Sequence, residues 1–457
     1  MITHRHIALA LVALLMASCN GTSSCLLCGP KAANLGGSVS GLVGYRLQLQ
    51  NGTVPLNSSL NGTGANGNGV VFGTANFNTT YNITVLTQPT NPSQTCLVAN
   101  GTGNTGNANV TNIAVTCTTN APRFVYVANR GAGNVSAFSL NAASGVLTPV
   151  AGSPFATGSS PVAIAVDPTG AYAYVVNQLS GTISGFTIDR SNGALVPISG
   201  SPFGTPANPT AVAIDPSSSF VFVTSASGGT ISVFTITPET GALVPLAGSL
   251  IATGPGAAAV AVDPLGQFAY VANAANGTFA ALTIDTTGLL SLDMGSPFAA
   301  GADPRALALD PSGHILYVAN STANTLSAEN GLPVSANVTV APITGSPYAV
   351  GTTPTSIAVA PANDFLYVAN QGSNNVSGFK LKAEDGTLTA LAASPFTTGM
   401  LPSAVAVDPT GKFAYVANSG ANTISAYAID PTTGALSALV GSPFATGLQP
   451  SAIAISD

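Results

Sequence analysis

The chain has 457 residues, only 6% of them charged, a net charge of −6 and an apolar share of 46%. That length suggests two domains, and the apolar share is too high for an acidic disordered chain. Lys and Arg total 10 and form no cluster, which argues against a nucleic-acid partner, because phosphate neutralisation needs a basic patch. Low charge instead implies a surface of Ser, Thr, Asn and Gly, which suits an exported β-protein. None of the 16 acidic residues precedes Asp167, so the first 166 residues offer no carboxylate pair and no carboxylate-bound calcium.

The N-terminus has the layout of an export signal. Ile7 to Ala17 is an apolar run of 11 behind a polar start containing Arg5, too short to cross a bilayer as a helix. Residues 1–18 are read as the signal peptide. Met16-Ala17-Ser18-Cys19 resembles the bacterial lipobox, in which Cys19 would become the lipidated first residue and membrane anchor. Asn20 differs from the Asp that favours inner-membrane retention, which implies an outer-membrane or cell-surface lipoprotein on the periplasmic or extracellular face. The alternative is ordinary signal-peptidase cleavage near Ala17. Residues 19–34 read as a flexible tether.

Four further cysteines suit disulfides in an exported chain. Cys96 and Cys117 flank a Gly/Asn-rich stretch on neighbouring strands, and closing that loop would contribute roughly 3 kcal/mol. Cys25 and Cys28 lie in the tether, with no haem-type His after them and no βαβ setting. A local disulfide or an inter-chain cross-link is expected there.

Residues 35–120 carry short alternating runs such as Tyr45 to Leu49, Tyr81 to Val85 and Asn112 to Thr116. Asn51-Gly52, Asn61-Gly62 and Asn100-Gly101 are turn signals between them. The expectation is a small β-sandwich of immunoglobulin type, serving as a stalk or accessory module.

Residues 121–457 hold seven copies of one segment. Tyr126, Tyr174, Phe222, Tyr270, Tyr317, Tyr367 and Tyr415 recur 48, 48, 48, 47, 50 and 48 residues apart, each in an alternating apolar run. A period of this size fits four short strands per unit, stacked radially as a propeller. In the second unit the strands are Pro161 to Val166, Ala171 to Val176, Thr182 to Ile188 and Ala194 to Ile198, the last an edge strand that tolerates Pro197. Asp167-Pro168-Thr169-Gly170 is a turn in which Asp caps backbone N–H groups. Ser201-Pro202-Phe203 begins the crossing to the next unit. The region starts with a second strand at Phe124 and ends with a first strand at Ser451 to Ile455, so the two termini complete one blade and close the ring.

Tyr126-Val127-Ala128-Asn129 and its copies, most of them after an Asp-Pro turn, resemble the YVTN-type β-propeller repeat of surface-layer and cell-surface proteins. That family is similar in fold to the seven-bladed lactonases, which include a phosphogluconolactonase. The resemblance implies an all-β chain: a seven-bladed propeller preceded by the small disulfide-linked sandwich. The absence of Trp argues against a WD40 assignment.

Catalytic groups are sparse. His314 sits in a turn position held elsewhere by Ala171, Gln267 and Lys412, and reads as an exposed turn residue. No zinc set or G-x-S-x-G elbow is visible, and a Ser-His-Asp triad is not supported, so no metal and no cofactor are expected. The repeated Asp residues read as turn caps. Departures from the repeat make better site candidates. Asp303-Pro304-Arg305 puts Arg305 where other units have Val162, Thr210, Ala258, Thr355, Ser403 and Ser451, at the mouth of the central channel. Arg305, with Asp303 beside it, could clamp a carboxylate or phosphate, or the two could form only a local ion pair. The fifth unit is irregular around Glu329-Asn330-Gly331.

The reading is a lipid-anchored envelope propeller that binds protein or glycan without catalysis. A lactonase acting on a sugar lactone is the first alternative. A structural surface-layer-like protein is the second.

Overall fold

The computed structural model describes residues 32–456 apart from 45, 57–59, 62–65, 90–93, 121–122, 333–339 and 363. The signal peptide, the lipidation candidate Cys19 and the pair Cys25 and Cys28 lie outside the described residues.

The N-terminal region is a sandwich of two four-stranded sheets. One orders Gly67–Asn76, Ala32–Ser40, Val110–Thr119 and Gln94–Ala99. The other orders Val54–Pro55, Gln48–Asn51, Thr80–Thr87 and Thr102–Asn104. Alternation along these strands turns Leu35, Leu47, Leu49, Ile113 and Val115 into one buried core. Ala32–Ser40 runs parallel to Val110–Thr119 at close range. A Cβ at Gly37 would lie 1.7 Å from the Ile113 carbonyl oxygen, so only glycine fits. Cys96 and Cys117 are bonded, and they face each other on adjacent strands. The bridge therefore stays within one sheet, whereas the immunoglobulin disulfide joins two.

Seven radial sheets follow. Blade 1 takes its inner strand from the chain end: Pro450–Ser456 pairs with Phe124–Asn129, then come Asn134–Leu140 and Leu147–Pro149. Blades 2 to 7 begin with Pro161–Val166, Pro209–Ile214, Ala257–Val262, Pro304–Leu309, Pro354–Val359 and Pro402–Val407. The expected closure is present, with Ile453 opposite Val127 and Ala454 opposite Tyr126. Each crossing adds a fifth, two-residue strand, such as Phe155–Ala156, which pairs with the start of the third strand. The crossing serine has its own task. Ser153 Oγ accepts the Ala137 N–H at 2.9 Å, and Ser201, Ser249, Ser296, Ser346, Ser394 and Ser442 do the same in their blades.

The second strands are buried on both faces because a blade lies on either side. In blades 1, 2, 5, 6 and 7 the tyrosine in that strand joins neighbours through its hydroxyl. Tyr126 donates to the Gly193 carbonyl, Tyr174 to Gly241, Tyr317 to Gly386 and Tyr367 to Gly434. Tyr415 in blade 7 donates to Gly145 in blade 1 at 2.7 Å, so the same latch spans the closure. Tyr415→Phe leaves that buried carbonyl without its hydroxyl donor and is expected to cost about 1 kcal/mol in urea unfolding.

The Asp-Pro turns stand at the far end of the inner strands. In each, one carboxylate oxygen accepts two backbone N–H groups and the other accepts one more. Asp167 takes Ala171, Tyr172 and Thr169, and Asp263 takes Gln267, Phe268 and Leu265. These carboxylates serve the backbone, as expected. Blade 6 has Ala360 at this place, which offers no carboxylate to the turn. His314 lies exposed in the blade 5 turn, with Nδ1 2.9 Å from Ser312 Oγ. Burial pushes the Asp263 carboxyl up, opposed by its backbone donors and by Arg46, which reaches this turn from the sandwich.

Candidate functional site

The inner strands are rich in Ala, Val, Ser and Thr, which leaves room at the axis. A cavity of about 1090 Å³ opens where these strands begin, at the end opposite the Asp-Pro turns. Its rim is built from one repeated device. The residue before each inner strand adopts a left-handed backbone: Ser160 (φ 56°), Asn208 (59°), Gly256 (74°), Asp303 (59°), Thr353 (53°), Leu401 (51°) and Gln449 (51°). Its carbonyl accepts the N–H of the residue just after the second strand, as in Gln178 to Ser160 and Ser321 to Asp303. This bond holds two ring positions together in every blade, so substitutions there change the lining and leave the frame intact.

Arg305 lines this cavity, as its position in the repeat implies. Its Nε lies 2.7 Å from Asp303 Oδ1, and the side chains are 53% and 25% exposed. The guanidinium is thus anchored on one side, with its remaining N–H groups open to the funnel. Thr322 Oγ1 is 3.5 Å from the other Asp303 oxygen.

A second guanidinium was not singled out in the sequence. Arg130 follows the second strand of blade 1, where other blades have Gln178, Ala226, Ala274, Ser321, Gln371 and Ser419. Its signal in the sequence is of the same kind as that of Arg305, a lone arginine at a ring position that is neutral in every other repeat. Its Nε donates to Ser160 Oγ at 3.1 Å and its Nη2 to Gln178 Oε1 at 3.2 Å, so both partners are neutral. Arg130 and Arg305 stand three blades apart one way round and four the other, on opposite walls.

The rest of the lining is uncharged. Several hydroxyls are already committed to holding adjacent inner strands: Thr210 donates to the Ala257 carbonyl at 2.7 Å, Ser403 to Pro450 at 2.6 Å and Ser451 to Pro161 at 2.8 Å. Asp303 is the one carboxylate among the cavity's described lining residues, and no histidine is among them. No group of three or more metal-ligating side chains occurs among the described residues.

Two further acids depart from the repeat away from the funnel. Glu329 is opposite Leu316, in the register position held by Phe138, Phe186, Phe234, Leu282, Phe379 and Tyr427 in the other blades. It is 6% exposed, and burial pushes its carboxyl up to about 7. Asp293 occupies the place of Val150, Ile198 and Leu246, with its N–H on the Ala281 carbonyl as theirs are on Ala137, Gly185 and Val233. Burial raises its carboxyl too, against the bond it accepts from Thr283 Oγ1 at 2.6 Å.

The family model described as "Lactonase, 7-bladed beta-propeller" matches residues 90–208, 244–338 and 329–447. The match covers most of the chain, and the chain belongs to this family. Solved structures share the fold. A putative 6-phosphogluconolactonase of Bacteroides fragilis is 22% identical, with a TM-score of 0.65 over 74% of this chain and 99% of its own. The periplasmic gluconolactonase PpgL of Pseudomonas aeruginosa is 17% identical, with a TM-score of 0.61 over 73% of this chain and 99% of its own. No curated protein matches.

Proposed function

We propose that the axial funnel binds an anionic, hydroxyl-rich small molecule of the sugar-acid type, free or at the end of a glycan, through Arg305 and Arg130. The observation that supports this reading is the charge of the lining. Two guanidiniums face one carboxylate, and every other lining group is neutral, in a protein whose net charge is −6. Guanidinium forks match carboxylate and phosphate oxygens, and the neutral hydroxyls and amides suit a polyol. The lipid-anchored placement at the cell envelope, through Cys19, belongs to the same proposal.

Binding ranks above catalysis because Asp303, the one carboxylate among the described lining residues, is already engaged by the Arg305 guanidinium, and no histidine stands beside it to carry a proton. Family membership favours a second reading, opening of a sugar lactone. Asp303 would then take a proton from water as the water oxygen bonds to the lactone carbonyl. Arg305 would stabilise the oxyanion, and the ring C–O bond would break with the proton passing to the alkoxide.

Titration calorimetry with 6-phosphogluconate and with glucose separates these readings from failure. The expected result is binding of the anion alone, weakened at least tenfold in Arg305→Ala and in Arg130→Ala, which is about 1.4 kcal/mol each. Equal binding of glucose, or binding unchanged by both substitutions, overturns the proposal. Hydrolysis of 6-phosphogluconolactone that is lost in Asp303→Asn establishes the second reading.

A further inference from the structure

The funnel rim is asymmetric in a second respect. The two residues before the inner strand are small or polar in five blades: Ser159-Ser160, Ala207-Asn208, Pro255-Gly256, Ala302-Asp303 and Thr352-Thr353. In the adjacent blades 7 and 1 they are Met400-Leu401 and Leu448-Gln449. Met400, Leu401 and Leu448 are 62%, 43% and 58% exposed, so three large apolar side chains stand in water on one sector of the rim. Leu401 does so from a left-handed backbone (φ 51°), a conformation that disfavours a branched side chain. Every blade has this left-handed turn; blade 7 differs in placing on it a large apolar side chain that leaves 43% of its surface in water.

The backbone beside these side chains is bare. A Cβ at Gly420 would lie 3.1 Å from Leu401 Cγ and Met400 Cβ, and one at Gly131 would lie 3.2 Å from Leu448 Cβ. The result is a shallow apolar shelf that continues into the cavity, whose lining includes Leu401, Gly420, Leu448 and Gly131. Arg130 belongs to the same sector. Its N–H is on the Gln449 carbonyl, the Gly131 N–H is on Leu448, and its guanidinium makes no ion pair with a described residue.

We infer that the funnel's ligand is an anionic amphiphile: a sugar acid carrying an aliphatic or aromatic arm, which leaves the funnel over the blade 7 and blade 1 sector and lies on Met400, Leu401 and Leu448. This rests on the anion-binding reading above and adds the apolar arm to it. The charge of Arg130 next to the shelf favours an acid over a neutral glycolipid, and burial of the arm supplies affinity that a bare sugar acid lacks.

Calorimetry on the full chain with three probes tests it: methyl β-D-glucuronide, octyl β-D-glucuronide and the neutral octyl β-D-glucoside, all below their micellar concentrations. Octyl glucuronide is expected to bind at least tenfold more tightly than methyl glucuronide, and at least tenfold more tightly than octyl glucoside. The variant Met400→Ser, at a residue outside the cavity lining, should weaken octyl glucuronide binding at least threefold and leave methyl glucuronide binding and the melting temperature unchanged. Equal binding of the two glucuronides overturns the inference and leaves the anion site standing. Octyl glucoside binding as tightly as octyl glucuronide also overturns it, as plain detergent adsorption. Binding of neither glucuronide overturns both readings.

Discussion

Asp408→Ala is expected to destabilise the propeller by about 4 kcal/mol in urea unfolding, while 6-phosphogluconate binding persists under folding conditions. Asp408 is fully buried. Its Oδ1 accepts the N–H groups of Lys412 at 2.7 Å and Phe413 at 2.6 Å, and its Oδ2 accepts the N–H of Thr410 at 3.0 Å and the Thr410 hydroxyl. Alanine removes the acceptor of all these donors in a half-buried turn, and each N–H left without one costs about 1–3 kcal/mol, most at the buried Phe413. Loss of ligand binding with stability intact would instead make the Asp ring a site.

Glu329→Leu is expected to stabilise the protein by roughly 3 kcal/mol at pH 8 and hardly at all at pH 4. Burial lifts the folded-state value from 4.5 to about 7, so the native state holds a proton that the unfolded chain releases. Between those values the native state binds more protons, and stability therefore falls as pH rises, levelling off above about 7. Leucine suits the slot, since Leu282 fills it in blade 4. Burial raises Asp263, Asp293 and Asp364 as well, so wild type alone shows a mixed slope; the difference between wild type and Glu329→Leu isolates one carboxyl. The measurement is urea unfolding of both proteins from pH 4 to pH 8. A difference that does not vary with pH contradicts the buried carboxyl.

Period and alternation make the blades legible, because a strand buried on both faces needs an unbroken apolar run. The phase of the two ends makes the closure legible, because Phe124 opens on a second strand and Ile455 closes on a first. The asparagine after each run is less transparent. Asn129 and Asn177 end an apolar run as polar residues, where sequence alone suggests exposure, yet both are fully buried and hold Ser136 and Ser184 on the next strand through Nδ2 at 2.9 Å. Glycine follows from this: a Cβ at Gly158 would sit 2.8 Å from Asn177 Cγ.

The site was half legible. Arg305 stands out because the inner strands align without gaps. Arg130 and the Met400, Leu401 and Leu448 shelf sit in turns, where significance depends on which blade lies alongside, and only the rim geometry brings those turns together. Glu329 was visible as an irregularity. Its burial in an aromatic slot needed the strand register, since a carboxylate ordinarily signals a solvent face.

A crystal structure of the full chain with 6-phosphogluconate tests the central claim most directly. The account predicts seven blades closed by Pro450–Ser456 against Phe124–Asn129, with the ligand's anionic oxygens within hydrogen-bond distance of Arg305 or Arg130 in the axial cavity. Ligand seated at the Asp-Pro end or on the outer blade edges, or a funnel left empty at saturating concentration, would contradict it.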